Sequence, residues 1–260
     1  MLLNSMTNQP SLISLFSSTS SNPTLLARVE TAKGSNESFV SLIHDATDGR
    51  ETLLAWNGSS QADLEARSAS LAAQRDSGGK GLQHVCGHVL HLQAPDCRTT
   101  YIRFGSLDRG KWKEDGLGVE LPVVHFQLKE LGQEMYVDVA VVDDEDEMTV
   151  VRCSTWQPKV EFLPATDDHP RLLHFPLRFP SPTSSTPLLT HWSTVSLPLH
   201  TLISPSRLRS IVGVEVHATC RLRRIWFSEV GMPGEVDEEM ARRGMRLELA
   251  LYEARRGEVR

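Results

Sequence analysis

The stretch from Ile211 to Glu229 constrains the fold of this chain more than any other part of its sequence. Its apolar side chains occupy alternate positions at first and resume after a short polar interval. These residues are Val212, Val214, Val216, Ala218, Leu222, Ile225 and Phe227. A period of two is typical of a β-strand with one face in the core, so the stretch predicts a core strand.

Three arginines, Arg221, Arg223 and Arg224, stand within four residues of this stretch, in a chain whose formal charge is −6. Arg221 and Arg223 share one side of a strand on which Leu222 takes the other, so the pattern predicts an exposed cationic patch. Such a patch suits an acidic protein partner. The alternative is a solvated strand edge whose charges prevent aggregation.

Further segments from residue 83 onward carry strand-like apolar content and are bounded by Pro, Gly, Asp or Ser. They are Val85–Leu92, Thr99–Phe104, Met135–Val142, Met148–Ser154, Leu172–Leu177, Thr194–Leu199 and Ile211–Ala218. Many strands at short intervals predict an all-β fold, an antiparallel β-sandwich (jelly-roll-like) over residues 83–230. Helical spacing of apolar residues, ended by Gly132, predicts one short helix within Leu121–Leu131.

The rest of the chain is predicted to flank this domain. Residues 1–26 are expected to be an N-terminal segment of the domain, and residues 27–82 a variable, partly disordered insertion. Residues 231–260 begin with acids and end with arginines, which complements a helix dipole, so a C-terminal helical extension is expected.

Composition narrows the class of protein. A net charge of −6 argues against general nucleic-acid binding, which needs a basic face. No apolar run approaches the roughly 20 residues that span a bilayer, and the first residues lack the basic start of a signal peptide. The sequence therefore predicts a soluble intracellular protein with no membrane partner. Its four cysteines are expected to be reduced thiols: Cys86, Cys97, Cys153 and Cys220.

The order of several short sequence motifs carries a family resemblance. The motifs are T-T-Y-I at Thr99–Ile102, G-L-G-V-E-L-P at Gly116–Pro122, V-V-D-D at Val141–Asp144 and V-E-V-H-A-T-C-R-L-R-R-I-W-F-S at Val214–Ser228. In these motifs the chain resembles the cilia- and flagella-associated protein 20 family, and Ser11–Ser18 is similar to that family's N-terminal segment. The resemblance implies a single β-sandwich domain.

The same resemblance implies a function. It suggests a non-catalytic structural protein of the cytoskeleton in cilia and flagella, at the inner junction of axonemal doublet microtubules. The partners would be tubulin and other axonemal proteins, and no cofactor or small-molecule substrate is expected. The chain departs from the founding protein in being acidic and in its longer segment at residues 30–82. The alternative is a sandwich that binds a glycan or a non-ciliary protein.

A run of five acids follows the predicted strand that ends at Val142: Asp143, Asp144, Glu145, Asp146 and Glu147. A calcium loop would need a glycine turn and a distal glutamate, which this run lacks. The run is therefore predicted to be a solvated turn that offers a contact to a basic partner.

Three other kinds of site have some support in the sequence. His84, Cys86 and His88 would share one face of a strand, but no fourth ligand accompanies them, so no metal is predicted. Ser193 and His191 would point to opposite faces of a strand, so catalysis is not expected. Four tryptophans raise the glycan alternative by analogy with other β-sandwiches: Trp112, Trp156, Trp192 and Trp226.

Overall fold

Two mainly antiparallel β-sheets enclose one hydrophobic core in the computed structural model of the chain. The structure describes residues 9–20, 23–45, 52–56, 88–108, 111–114, 116–167, 169–179, 192–203 and 207–229. The predicted C-terminal helix lies outside these residues, as does the stretch 57–87. No helix among the described residues is long and apolar enough to span a membrane.

The first sheet has the strand order β14-β9-β16-β5-β3-β4, and β1 also pairs with β16. Its strands are β1 (Leu12–Ser17), β3 (Phe39–His44), β4 (Thr52–Trp56), β5 (His88–Gln93), β9 (Val123–Glu130), β14 (Trp192–Pro198) and β16 (Cys220–Ser228). One edge of β16 pairs with β9, and β5 and β1 share its other edge.

The second sheet has the order β12-β13-β11-β10-β15-β6-β2. Its strands are β2 (Ala27–Glu30), β6 (Tyr101–Phe104), β10 (Tyr136–Asp143), β11 (Met148–Ser154), β12 (Glu161–Leu163), β13 (Arg171–Pro176) and β15 (Leu208–His217). Strands β11 and β13 pair in parallel, whereas the sequence predicts antiparallel pairing throughout. A small separate hairpin joins β7 (Leu107–Asp108) to β8 (Lys111–Trp112). The described residues also contain the one-turn helix α1 (Leu199–Leu202) and a 3-10 turn at Cys97–Thr99.

The helix predicted within Leu121–Leu131 is wrong, because Val123–Glu130 forms strand β9. Val124, Phe126 and Leu128 alternate into the core, while His125 and Gln127 are buried on the other face. Apolar and polar residues alternate from Val124 to Lys129, as in a strand, but Val124, Leu128 and Leu131 also stand at helical spacing, and this second pattern led to the wrong prediction.

The expectation of an insertion at residues 27–82 is wrong for the described part of that stretch. Strand β2 pairs with β6, and β3 lies between β4 and β5. Ala27, Val40 and Leu42 belong to the main core. Strand β1 adds Phe16 to the same core, so the N-terminal residues are part of the sandwich.

The alternating stretch Ile211–Glu229 forms two strands and not one. Strand β15 ends at His217 in the second sheet, and β16 begins at Cys220 in the first. The connection therefore crosses from one sheet to the other within two residues, and it fixes the two sheets to each other at this end of the core.

Candidate interaction surface

The outer face of the second sheet carries a row of ionisable side chains. The strand register places one such residue on each of the seven strands, directly opposite that of the neighbouring strand in the sheet. The row is Glu161, His174, Arg152, Asp138, Glu215, Arg103 and Arg28. Neighbours along the chain such as Val137, Val139 and Val151 point into the core, so this row lies on the opposite face.

Ion pairs hold the centre of the row. The Asp138 carboxylate accepts from the Arg152 Nε at 2.8 Å and from its Nη2 at 2.7 Å. Glu215 pairs with Arg103 and accepts from His217 Nε2 at 2.9 Å. Burial raises the pKa of Glu215, but the hydrogen bond from His217 and the charge of Arg103 outweigh it and leave that pKa below its ordinary value.

Aromatic rings complete the packing around these charges. Tyr136 and His217 stack with their ring centroids 3.8 Å apart, and Tyr101 lies 4.6 Å from the same imidazole. The Arg152 guanidinium lies 4.5 Å from the Tyr136 ring, and that of Arg103 lies 4.9 Å from Tyr101. These contacts fix the side chains in place, so the face is rigid and preorganised.

The possible ligand atoms of Asp138, Glu215 and His217 lie within 4.8 Å of one another, close enough to hold a metal ion. Both carboxylates already accept from guanidinium groups, so the donor set fits a closed charge network better than a metal centre. Of the three residues weighed for metal binding in the sequence, His84 and Cys86 lie outside the described residues. His88 is buried in β5, edge-on to His44.

A groove of about 850 Å³ opens beside this network on the same face. Its floor is apolar and includes Met148, Val150 and Leu172. The β7–β8 hairpin, with Trp112, forms one wall, and residues 163–166 with 169–170 form the other. Lys111 Nζ links the walls by donating to the Asp167 carbonyl oxygen at 2.6 Å.

The acidic run forms the turn between β10 and β11 at one end of the groove. Its first residue, Asp143, is buried and accepts from the backbone N–H groups of Glu145 and Glu147 and from Arg171. The other four residues are exposed, as predicted: Asp144, Glu145, Asp146 and Glu147. Glu147 lines the groove itself, whereas Asp146 pairs with Arg209.

The prediction of an exposed arginine patch on β16 is wrong. Arg221 is buried in the first sheet, with its side chain 8% exposed, and its Nη1 donates to Asp45 Oδ1 at 2.7 Å. Arg223 is buried with its guanidinium 5.8 Å from the Trp192 ring, and Arg224 is half-buried. The counter-ion Asp45 directly follows β3, in the stretch that the sequence suggests is an insertion, so the pairing could not be anticipated.

Asp45 also accepts from the Trp192 indole at 2.8 Å, and the Lys129 ammonium lies 3.6 Å away. Burial raises the pKa of Asp45, but the hydrogen bonds from Trp192 and Arg221 and the charge of Lys129 leave it lower than usual. The arginines of β16 therefore belong to a buried structural network and are not available as an external contact surface.

The four tryptophans named above do not form the exposed platform that a glycan-binding face would need. Trp226 is buried and stacks on His125 at 4.8 Å, and Trp192 is held by Asp45. Trp112 packs against Gly213. Trp156 is 39% exposed, but it meets Tyr136 edge-on at the end of the sheet, apart from the other three.

Comparison with protein families gives a match to the model of the CFA20 domain over residues 83–243. The chain belongs to the CFA20 domain family. Membership indicates a cilia-related role, and the matched residues include every strand from β5 to β16. Comparison with curated proteins gives no significant match.

Proposed function

We propose that this protein is a non-catalytic structural component of cilia and flagella. It associates with axonemal doublet microtubules in the manner of an inner-junction protein, through tubulin and neighbouring axonemal proteins. The observation that carries the proposal is the family match over residues 83–243. The proposed location is the cytoplasm and cytoskeleton, at the axoneme, and no cofactor takes part.

The described surface supports a binding role. Its charged groups are held by fixed partners, as Asp138 is by Arg152, and the groove beside them has an apolar floor. A preorganised surface loses little conformational entropy when a partner docks, which favours stable assembly. Because Arg221 and Arg223 are buried, the proposed contacts lie on the second sheet's outer face and not on β16.

Localisation in a ciliated cell tests the proposal. The tagged chain is expected to remain along the axoneme after detergent removes the membrane, and to co-sediment with isolated doublet microtubules. Binding should weaken as salt rises, because exposed charge contacts are screened over about 8–10 Å. A diffuse cytoplasmic signal together with no co-sedimentation would reject the axonemal role.

A second candidate is a binding module for a non-ciliary protein. The exposed acids of the β10–β11 turn favour it, since their charge repels the acidic surface of tubulin and attracts a basic protein. The localisation experiment separates the two candidates, because a non-ciliary partner retains the tagged chain outside the axoneme.

A further inference from the structure

The floor of the groove is an apolar surface that lies outside the main core. Ala140, Val142, Val150 and Val212 form a separate small cluster beneath it. Trp112, Met148 and Leu172 pack against this cluster and line the groove together with Val150. The second sheet thus buries apolar side chains on both of its faces, and among the described residues the hairpin, Glu114 and the stretches 163–167 and 169–170 flank the outer one. Apolar surface at the base of an open groove is a common mark of a binding site.

The direction and length of the groove follow from the strands beneath it. Arg152, Val150 and Met148 lie on one face of β11, and Arg152 and Glu147 mark the two ends. From Arg152 to Met148 the strand rises roughly 13 Å, at about 3.3 Å per residue. A site of this length, walled on both sides and crossed at one point by the Lys111–Asp167 hydrogen bond, accommodates three or four residues of an extended chain.

The charges at the two ends differ. At one end Arg152 is neutralised by Asp138. At the other end Glu147 and the nearby acids Asp144 and Glu145 are exposed, and none of the three forms an ion pair with another described residue. Glu114 adds a carboxylate to the lining and Lys111 an ammonium group, so that with Glu147 the lining carries more negative than positive charge once the Asp138–Arg152 pair is set aside. The open end of the groove therefore presents negative charge to an occupant.

We infer that this groove binds an extended segment of a partner protein in which apolar residues are followed by lysines or arginines. The apolar side chains lie on Val150, Met148 and Leu172, and the basic residues reach the acidic turn. The contact combines burial of apolar surface with charge complementarity, as in other peptide-binding grooves. This inference goes beyond the axonemal role and does not depend on it.

Two substitutions test the groove in the full-length chain. Glu147→Lys reverses the charge at its acidic end, and Ala165→Trp fills its mouth from an exposed position on the wall. Glu37→Lys makes the same charge reversal and Asn36→Trp introduces the same indole at exposed positions before β3 in the first sheet, so they are the controls. All four positions are exposed, and thermal melts establish that each variant is folded.

The probes are three fluorescent peptides of equal length. The first has four apolar residues followed by Lys-Arg-Lys, the second has the same apolar residues followed by Asp-Glu-Asp, and the third replaces the apolar residues by Ser and Thr but keeps Lys-Arg-Lys. Fluorescence anisotropy at low salt measures their binding, and nuclear magnetic resonance follows the indole N–H signals of Trp112 and Trp226.

The first peptide should bind at least fivefold more tightly than the other two. Glu147→Lys and Ala165→Trp should each weaken it at least fivefold, while the controls stay within twofold of the unmodified chain. The Trp112 signal should shift and that of the buried Trp226 should not. Equal binding of the three peptides, equal affinities for groove and control variants, or an unmoved Trp112 signal would each overturn the inference. The localisation experiment is unaffected by any of these results.

Discussion

Several polar residues in this sandwich are buried on the outer faces of the sheets and not in the central core. His125 and Arg221 lie in the first sheet, and Asp138 and Glu215 in the second. Each has a defined partner, because a polar group removed from water without one costs about 1–3 kcal/mol. Polar residues that the sequence suggests are exposed therefore form part of the buried structure.

His125 makes the stability of the protein depend on pH. Its Nδ1 and Nε2 lie 2.7 Å from the Ser196 and Ser228 hydroxyl oxygens, and burial lowers its pKa from 6.5 to about 4. In the unfolded chain this imidazole binds a proton near pH 6.5, whereas in the folded chain it stays neutral down to about pH 4. The contribution of neutral His125 is thus complete above pH 6.5 and is lost as the pH falls towards 4.

Replacing His125 by Gln, which does not titrate, should reduce the loss of stability between pH 7 and pH 4.5. The full effect of the shifted pKa is on the order of 3 kcal/mol. Urea unfolding at several pH values measures it, with His169→Gln in an exposed loop as the control. If His125→Gln loses stability as steeply as the unmodified chain, burial does not govern this histidine.

The buried pair of Arg221 and Asp45 gives a second prediction. Both side chains are less than 10% exposed, so Arg221→Glu places two carboxylates together away from water. Breaking a buried ion pair costs about 3–5 kcal/mol, and the repulsion adds to it. Chemical denaturation should show a loss of this size. The exposed Arg98→Glu variant should unfold at nearly the same denaturant concentration as the unmodified chain, and equal stability of the two variants would contradict the burial of Arg221.

At the scale of the elements, the sequence predicts several strands close to their observed bounds. Strand β11 is predicted with the observed bounds, and β10 within one residue, because core valines are bounded by turn residues. Strand β9 is mistaken for a helix because Val124, Leu128 and Leu131 stand at helical spacing, although apolar and polar residues alternate along the strand. The groove is not visible in the sequence, because its walls come from residues 111–112 and from 163–166 with 169–170, which only the folded sheet brings together.

The β7–β8 hairpin docks on the second sheet through one close contact. A Cβ atom added to Gly213 would lie 2.0 Å from Cζ3 of Trp112, so the indole occupies the space that a side chain would need. Gly213→Ala must displace this ring, and overpacking of this kind costs about 1–3 kcal/mol. Thermal unfolding should show that loss.

The double variant separates the contact from other effects of the alanine. In a Trp112→Ala background the space beside Gly213 is vacant, so Gly213→Ala should cost much less there. If the cost is the same in both backgrounds, the alanine acts on the β15 backbone and not on the docking of the hairpin.

At the scale of the whole molecule, the sandwich extends beyond the matched residues 83–243. Phe16, Ala27, Val40 and Leu42 contribute to the core from the chain before residue 83. Strands β1 and β3 also provide the neighbours of β16 and β5 within the first sheet. The matched segment is thus only part of the structural unit, and the whole unit should unfold cooperatively.

A chain that starts at residue 83 should therefore not fold stably. It would leave edges of β5 and β16 without their strand partners and would remove Phe16, a buried ring whose replacement by alanine alone would cost about 3–5 kcal/mol. Because small domains have a free energy of unfolding of only about 5–15 kcal/mol, the loss of four strands exceeds the stability of the remaining structure.

Near-ultraviolet circular dichroism should show fixed tertiary packing in the full chain and none in the truncated one. Adding the separate fragment 1–56 should restore part of that signal, because β1 and β3 can then pair again with their partners. A truncated chain that melts cooperatively at the temperature of the full chain would mean that strands β1 to β4 are accessory to the fold.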